Sequence, residues 1–143
     1  DAQTSAKKIA AGEIVTIDIC GCWNRYHTNY ARTFSVGEPH PDVARRVRLA
    51  AGGVDALAEV LEPGVLVNDA TRRMKEYWSE AGIWEERWGA GGGYDMGIAF
   101  PPDWVGDFYF PLGDDKYLDR VFEENMVTNF ESLFNTALID TLF

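Results

Sequence analysis

The stretch from Gly12 to Pro39, GEIVTIDICGCWNRYHTNYARTFSVGEP, constrains the fold more than any other part of the chain. Ile14 to Cys20 is rich in β-branched residues, and alternation puts Ile14, Thr16, Asp18 and Cys20 on one face with Val15, Ile17 and Ile19 on the other. Tyr26 to Val36 repeats the pattern, with His27, Asn29, Ala31 and Thr33 opposing Tyr26, Thr28, Tyr30, Arg32 and Phe34. Two such runs separated by a short polar break read as a β-hairpin with polar groups on its inner face. A turn centred between Trp23 and Asn24 would set Asp18 against Asn29 and Cys20 against His27. A one-residue slip would flip the faces.

At 143 residues the chain suits one domain. Its net charge of -10 argues against nucleic acid, since phosphate binding needs a surplus of Lys and Arg. No apolar run approaches the ~20 residues that span a bilayer, and no signal-peptide pattern is present. The expectation is therefore a cytoplasmic protein with a small-molecule substrate and no nucleic-acid or membrane partner. Cys20 and Cys22, two apart with no second pair, indicate neither a zinc site nor a disulfide framework.

The hairpin resembles that of the pita-bread hydrolases, the group of methionine aminopeptidases, Xaa-Pro peptidases, creatinase and ectoine hydrolase. In that group a GDxVxxDxG strand leads to a YHxDxxRTFxVG strand. Here the pattern stands as Gly12-Glu13-Ile14-Val15-Thr16-Ile17-Asp18 and then Tyr26-His27-Thr28-Asn29-Tyr30-Ala31-Arg32-Thr33-Phe34-Ser35-Val36-Gly37. The resemblance implies an α+β pita-bread fold, an antiparallel curved sheet with helices packed on its outer face. It also implies a catalytic domain over residues 1–143, cut at both ends, whose relatives carry a smaller N-terminal domain and an upstream His-bearing segment. Homodimers are common in the family, and Trp84, Trp88 and Trp104 are residues that could serve an interface.

Downstream the order of elements agrees. Pro41 and Asp42 start a helix expected to run to about Leu61, with Val43, Val47, Ala50, Val54, Leu57 and Leu61 spaced by threes and fours. Gly52 and Gly53 inside it predict close packing, since glycine weakens a helix by about 1 kcal/mol relative to Ala. Glu62-Pro63-Gly64 ends that helix, and a second is expected from an Asn68 N-cap to Gly82. The loop from Trp84 to Gly93 closes in a glycine run that lacks the Lys-Ser or Lys-Thr of a phosphate loop, so its glycines are expected to let the backbone bend or pass close to a ligand. For Val105 to Tyr117, aromatic and acidic, an edge strand and a lid over the ligand are both open, with core packing as the plainer reading. Two strands are expected at the end, Met126 to Glu131 and Thr136 to Phe143.

Where the family's metallopeptidases carry GHGIG with a second His seven residues on, this chain has Tyr94 and Pro101, and its GYxxGIAxPPDW form looks like the ectoine hydrolase and creatinase branch. Carried over by position, the five ligands of the dinuclear centre become Asp18, Asn29, Tyr94, Glu131 and Ile139. Only Asp18 and Glu131 keep a carboxylate; Ile139 has no donor atom and a Tyr is a poor ligand at neutral pH. The expectation is therefore no metal and no cofactor.

The remaining vocabulary, two carboxylates, an imidazole and a phenol, suits acid and base chemistry. Glu131, Asp18 and His27 are the expected catalytic residues, and Tyr94, Asn29, Asp103 and Trp104 the expected substrate-binding ones. A carboxylate pair also suits an amidinium or guanidinium group. The first hypothesis is a metal-independent hydrolase of a non-peptide C–N bond in a small cationic or zwitterionic substrate, creatinase-like or ectoine hydrolase-like. The alternatives are an Xaa-Pro-type metallopeptidase with a degenerate metal site and a non-catalytic binding module.

Overall fold

A computed structural model describes residues 6–86, 91–98, 106–112, 119–134 and 137–142. The hairpin forms as strands β1 (Ile14–Trp23) and β2 (Tyr26–Ser35). Its turn is Asn24-Arg25, both at positive φ (49° and 67°), the geometry whose twist matches the flanking strands. The turn thus lies one residue later than the sequence suggested. Cys20 pairs with Asn29, Cys22 with His27, and Asp18 with Ala31 rather than with Asn29. Moving the turn by one residue shifts the pairing by two, so every side chain keeps the expected face.

Helix α1 (Pro41–Ala58) has Pro at its start, and the His40 ring accepts a hydrogen bond from the Asp42 amide. It ends three residues before Leu61. A Cβ added to Gly53 would stand 2.5 Å from the Trp78 ring, and one on Gly52 would meet the Tyr77 side chain, so the paired glycines let α1 and α2 approach closely, as expected. Helix α2 (Val67–Glu80) is capped by Leu66, not Asn68, and no side chain caps it. Its start is fixed instead by pairing with a distant segment: Val67 N–H donates to the Arg120 carbonyl, and Leu66 bridges to Val121. At the other end Gly82 takes φ +74°, with the amides of Gly82 and Ile83 donating back to the carbonyls of Ser79 and Trp78.

A short 3-10 turn (Trp84–Glu86) follows. Trp84 is partly buried and stacks on Trp78 at 6.4 Å between ring centres, packed against the core. Trp88 lies outside the described residues. Strands β3 (Gly92–Tyr94), β4 (Gly97–Ile98), β5 (Tyr109–Pro111), β6 (Asn129–Phe134) and β7 (Ala137–Leu142) complete the chain. β6 begins later than expected because Asp95 bridges Thr128 singly before continuous pairing starts.

Two sheets result, one in the order β1-β2-β4 and one in the order β5-β3-β6-β7, with β2 running against β7. β5 is an edge strand, and Phe108 and Phe110 are buried, which decides the 105–117 segment in favour of core packing where it is described. The glycine run serves the sheet: a side chain at Gly93 would overlap the Asn129 carbonyl and the Phe110 ring, so glycine lets β3 pass between its neighbours. Asn125 adopts φ +65°, a left-handed conformation that asparagine tolerates better than most residues.

The apolar core lies between the helices and one face of the four-stranded sheet, with Trp78 stacked on Phe130 and edge-on to Phe134. The alternate face of β6, bearing Asn129 and Glu131, turns away from the helices. The inner face of β2 meets it there. On the hairpin's other face Ile17, Ile19, Tyr30 and Phe34 are exposed.

Candidate active site

Glu131 is the focus of the site. Strand β6 alternates Phe130, which enters the core, with Asn129 and Glu131, which share the opposite face. β3 is aligned on it, Gly92 standing opposite Glu131, which brings Tyr94 alongside Asn129. From the hairpin, Asn29 reaches across from β2 and is almost fully buried.

One carboxylate oxygen gathers the contacts. Glu131 Oε1 accepts from Tyr94 Oη at 2.5 Å, from Asn29 Nδ2 at 2.8 Å and from Asn129 Nδ2 at 2.8 Å. Asn29 Nδ2 also donates to Tyr94 Oη at 2.9 Å, so Asn29, Tyr94 and Glu131 close a ring of hydrogen bonds. The amide orientation of Asn29 follows from chemistry: an ionised carboxylate offers no hydrogen, and the phenol's only one is committed to that carboxylate, so the NH2 end must face them. Asn129 works in both directions, its Oδ1 accepting from the Tyr94 backbone N–H at 2.8 Å. Among the described residues no hydrogen bond reaches Glu131 Oε2.

Three expected residues, Glu131, Asn29 and Tyr94, therefore meet directly. His27 lies two residues from Asn29 on the same face of β2, opposite Cys22 and Gly97. Its Nδ1 is buried and has no hydrogen-bond partner among the described residues. Asp18 is exposed and diagonal to Asn29, with no hydrogen bond to a described residue. Asp103 and Trp104 lie outside the described residues, as does Pro101. In the β6/β7 register Asp140, not Ile139, stands opposite Glu131, while Ile139 pairs with Ser132. Asn129 was missed in the sequence, although its signal was there: a polar residue two before a glutamate in an otherwise apolar strand shares that glutamate's face.

Among the described residues, the donor set around Glu131 does not match a dinuclear metal centre. Two of the three groups on Oε1 are amide nitrogens whose hydrogens point at the carboxylate, and they occupy the approach that a cation would need. Among the described residues no three His, Cys, Asp or Glu side chains lie close enough together to hold a metal ion.

The model of metallopeptidase family M24 matches residues 2–137. The chain belongs to that family. Its curated relatives include ectoine hydrolase from Halomonas elongata, 32% identical over 93 residues, covering 65% of this chain and 23% of the relative. They also include the probable dipeptidase PepE of Mycobacterium tuberculosis, 33% identical over 82 residues, covering 57% and 22%. The chain thus spans less than a quarter of the length of either. Among solved structures, dipeptidase PepE from Mycobacterium ulcerans superposes with a TM-score of 0.81 at 24% identity, over 96% of this chain and 36% of that one. Methionine aminopeptidase from Rickettsia prowazekii gives 0.75 at 14% identity, over 97% and 61%. The α+β pita-bread fold read from the hairpin is that of these M24 proteins. Among the described residues, no helix is long and apolar enough to cross a membrane.

Proposed function

We propose that this M24 hydrolase cleaves a non-peptide C–N bond in a small cationic or zwitterionic substrate without a metal ion. The observation that carries the reading is the saturation of Glu131 Oε1 by two amides and a phenol, with Oε2 left to face a bound molecule. The likeness to ectoine hydrolase supports it. Glu131 Oε2 takes a proton from water as the water oxygen bonds to the electrophilic carbon; that proton passes to the leaving nitrogen as the C–N bond breaks. His27, whose buried Nδ1 lacks a partner among the described residues, hydrogen-bonds the substrate or the attacking water. An ionised carboxylate also pairs with an amidinium or guanidinium by charge-assisted hydrogen bonds.

The test is turnover of cyclic amidine and guanidino substrates by chelator-treated protein, compared with Glu131→Gln. The reading requires activity in the first and none in a folded second; full activity in Glu131→Gln would sink it.

A second reading, an Xaa-Pro-type dipeptidase, is favoured by the PepE likeness and by Asp140, which the register sets opposite Glu131. Cleavage of Xaa-Pro dipeptides that appears only with added Mn2+ would put it first.

A further inference from the structure

We propose that the amide groups of Asn29 and Asn129 take the place of a divalent cation beside Glu131, and that these two residues set the site's preference for hydrogen-bond donors over metal ions. The inference rests on the metal-free reading above and names the residues responsible for it.

A carboxylate held inside a protein needs positive charge or donated hydrogens around it. In a metal centre the cation supplies the charge, and several carboxylates can converge because the cation separates them. Here the convergence is of another kind. Asn29 is 3% exposed and Asn129 fully buried, and each holds an Nδ2 at 2.8 Å from the same oxygen. The Asn29 Nδ2 donates to both Glu131 Oε1 and Tyr94 Oη. Each of these groups presents a partial positive charge to Oε1, so a cation arriving there would displace donors and meet their hydrogens head-on.

Replacing either amide by a carboxylate removes those hydrogens and sets two acceptors at hydrogen-bond distance in a buried place. Such a pair is held only by a shared proton or by a cation between the oxygens. The substitution that most closely preserves shape, Asn to Asp, should therefore turn the hydrogen-bonded cradle into a cation-dependent one. Asn129 adds a constraint that Asn29 lacks, because its Oδ1 must go on accepting from the Tyr94 amide, and aspartate keeps that acceptor.

The experiment is a melting scan of chelator-treated wild type, Asn29→Asp, Asn129→Asp, Asn29→Ala and Asn129→Ala at neutral pH, with and without excess MnCl2 or ZnCl2. Expected are a wild type and Ala variants that do not respond, and Asp variants that melt lower in chelator and rise by about 3 °C or more with the ion, reversibly on chelation. Folded Asp variants without that rise, or an equal rise in the Ala variants, would overturn the proposal. If an Asp variant is unfolded in chelator, refolding in MnCl2 supports the proposal and failure to refold counts against it. A wild type that itself responds would defeat the metal-free reading; a silent wild type with silent Asp variants defeats only this inference.

Discussion

Removing the Asn129 side chain tests the site's architecture through stability alone. Asn129→Ala deletes the donor to Glu131 Oε1 and the acceptor for the Tyr94 N–H, both at 2.8 Å in a residue with no exposed surface. A hydrogen bond to a charged group contributes about 1.5–3 kcal/mol, and leaving a buried backbone N–H unsatisfied costs about 1–3 kcal/mol. The two together predict a loss of about 3–5 kcal/mol, with some relief if water enters. Tyr94→Phe removes only the hydroxyl, leaving Glu131 two donors, and should cost about 1–2 kcal/mol. Because both changes act on one oxygen, the double variant should depart from additivity by about 0.5–3 kcal/mol. Urea unfolding at neutral pH measures all three, provided the slope with denaturant is unchanged. A loss below about 0.5 kcal/mol in Asn129→Ala, within the range of ordinary surface substitutions, would refute the network as described.

Three further outcomes are expected. Gly53→Ala, whose methyl would meet the Trp78 ring at 2.5 Å, should destabilise by about 1–3 kcal/mol in urea unfolding, despite alanine's better helix propensity; a stabilised variant would show that α1 and α2 do not pack as described. Arg25→Gly, at φ +67° in the hairpin turn, should raise stability by about 1 kcal/mol by relieving a left-handed side-chain conformation, read as a higher urea midpoint; a lower midpoint would contradict the turn. Glu13 is held below the ordinary glutamate value of 4.5 first by its hydrogen bond with Lys7 and then by the Ala10 amide. Its contribution is therefore full above that value and lost as pH falls through the lowered one, so Glu13→Gln should flatten the acid arm of the melting profile below about pH 4.5 and leave it parallel above.

The hairpin was legible because a strand's period of two survives any local detail, and both faces of β1 and β2 are as the alternation requires. The turn was not, because Asn24 carries only half of the Asn-Gly signal that marks such turns, and Arg25 stands at positive φ where glycine is the usual residue. Both helices followed from apolar spacing. The start of α2 did not, because Leu66 is fixed by Val121, far along the chain, and propensity for Asn68 as a cap gave way to that pairing. Within the site, Glu131, Asn29 and Tyr94 were each identifiable from family positions, but their convergence on a single oxygen depends on three strand registers at once. Asp140 shows the same dependence: position counting puts Ile139 at the last acidic place, whereas the pairing of β6 with β7 sets Asp140 opposite Glu131.

The measurement that bears most directly on the central claim is hydrolysis of a cyclic amidine by the protein stripped of divalent ions, with Glu131→Gln alongside. The account predicts turnover that chelator does not diminish and that vanishes in the folded variant. Activity lost on chelation and restored by Mn2+ would contradict it.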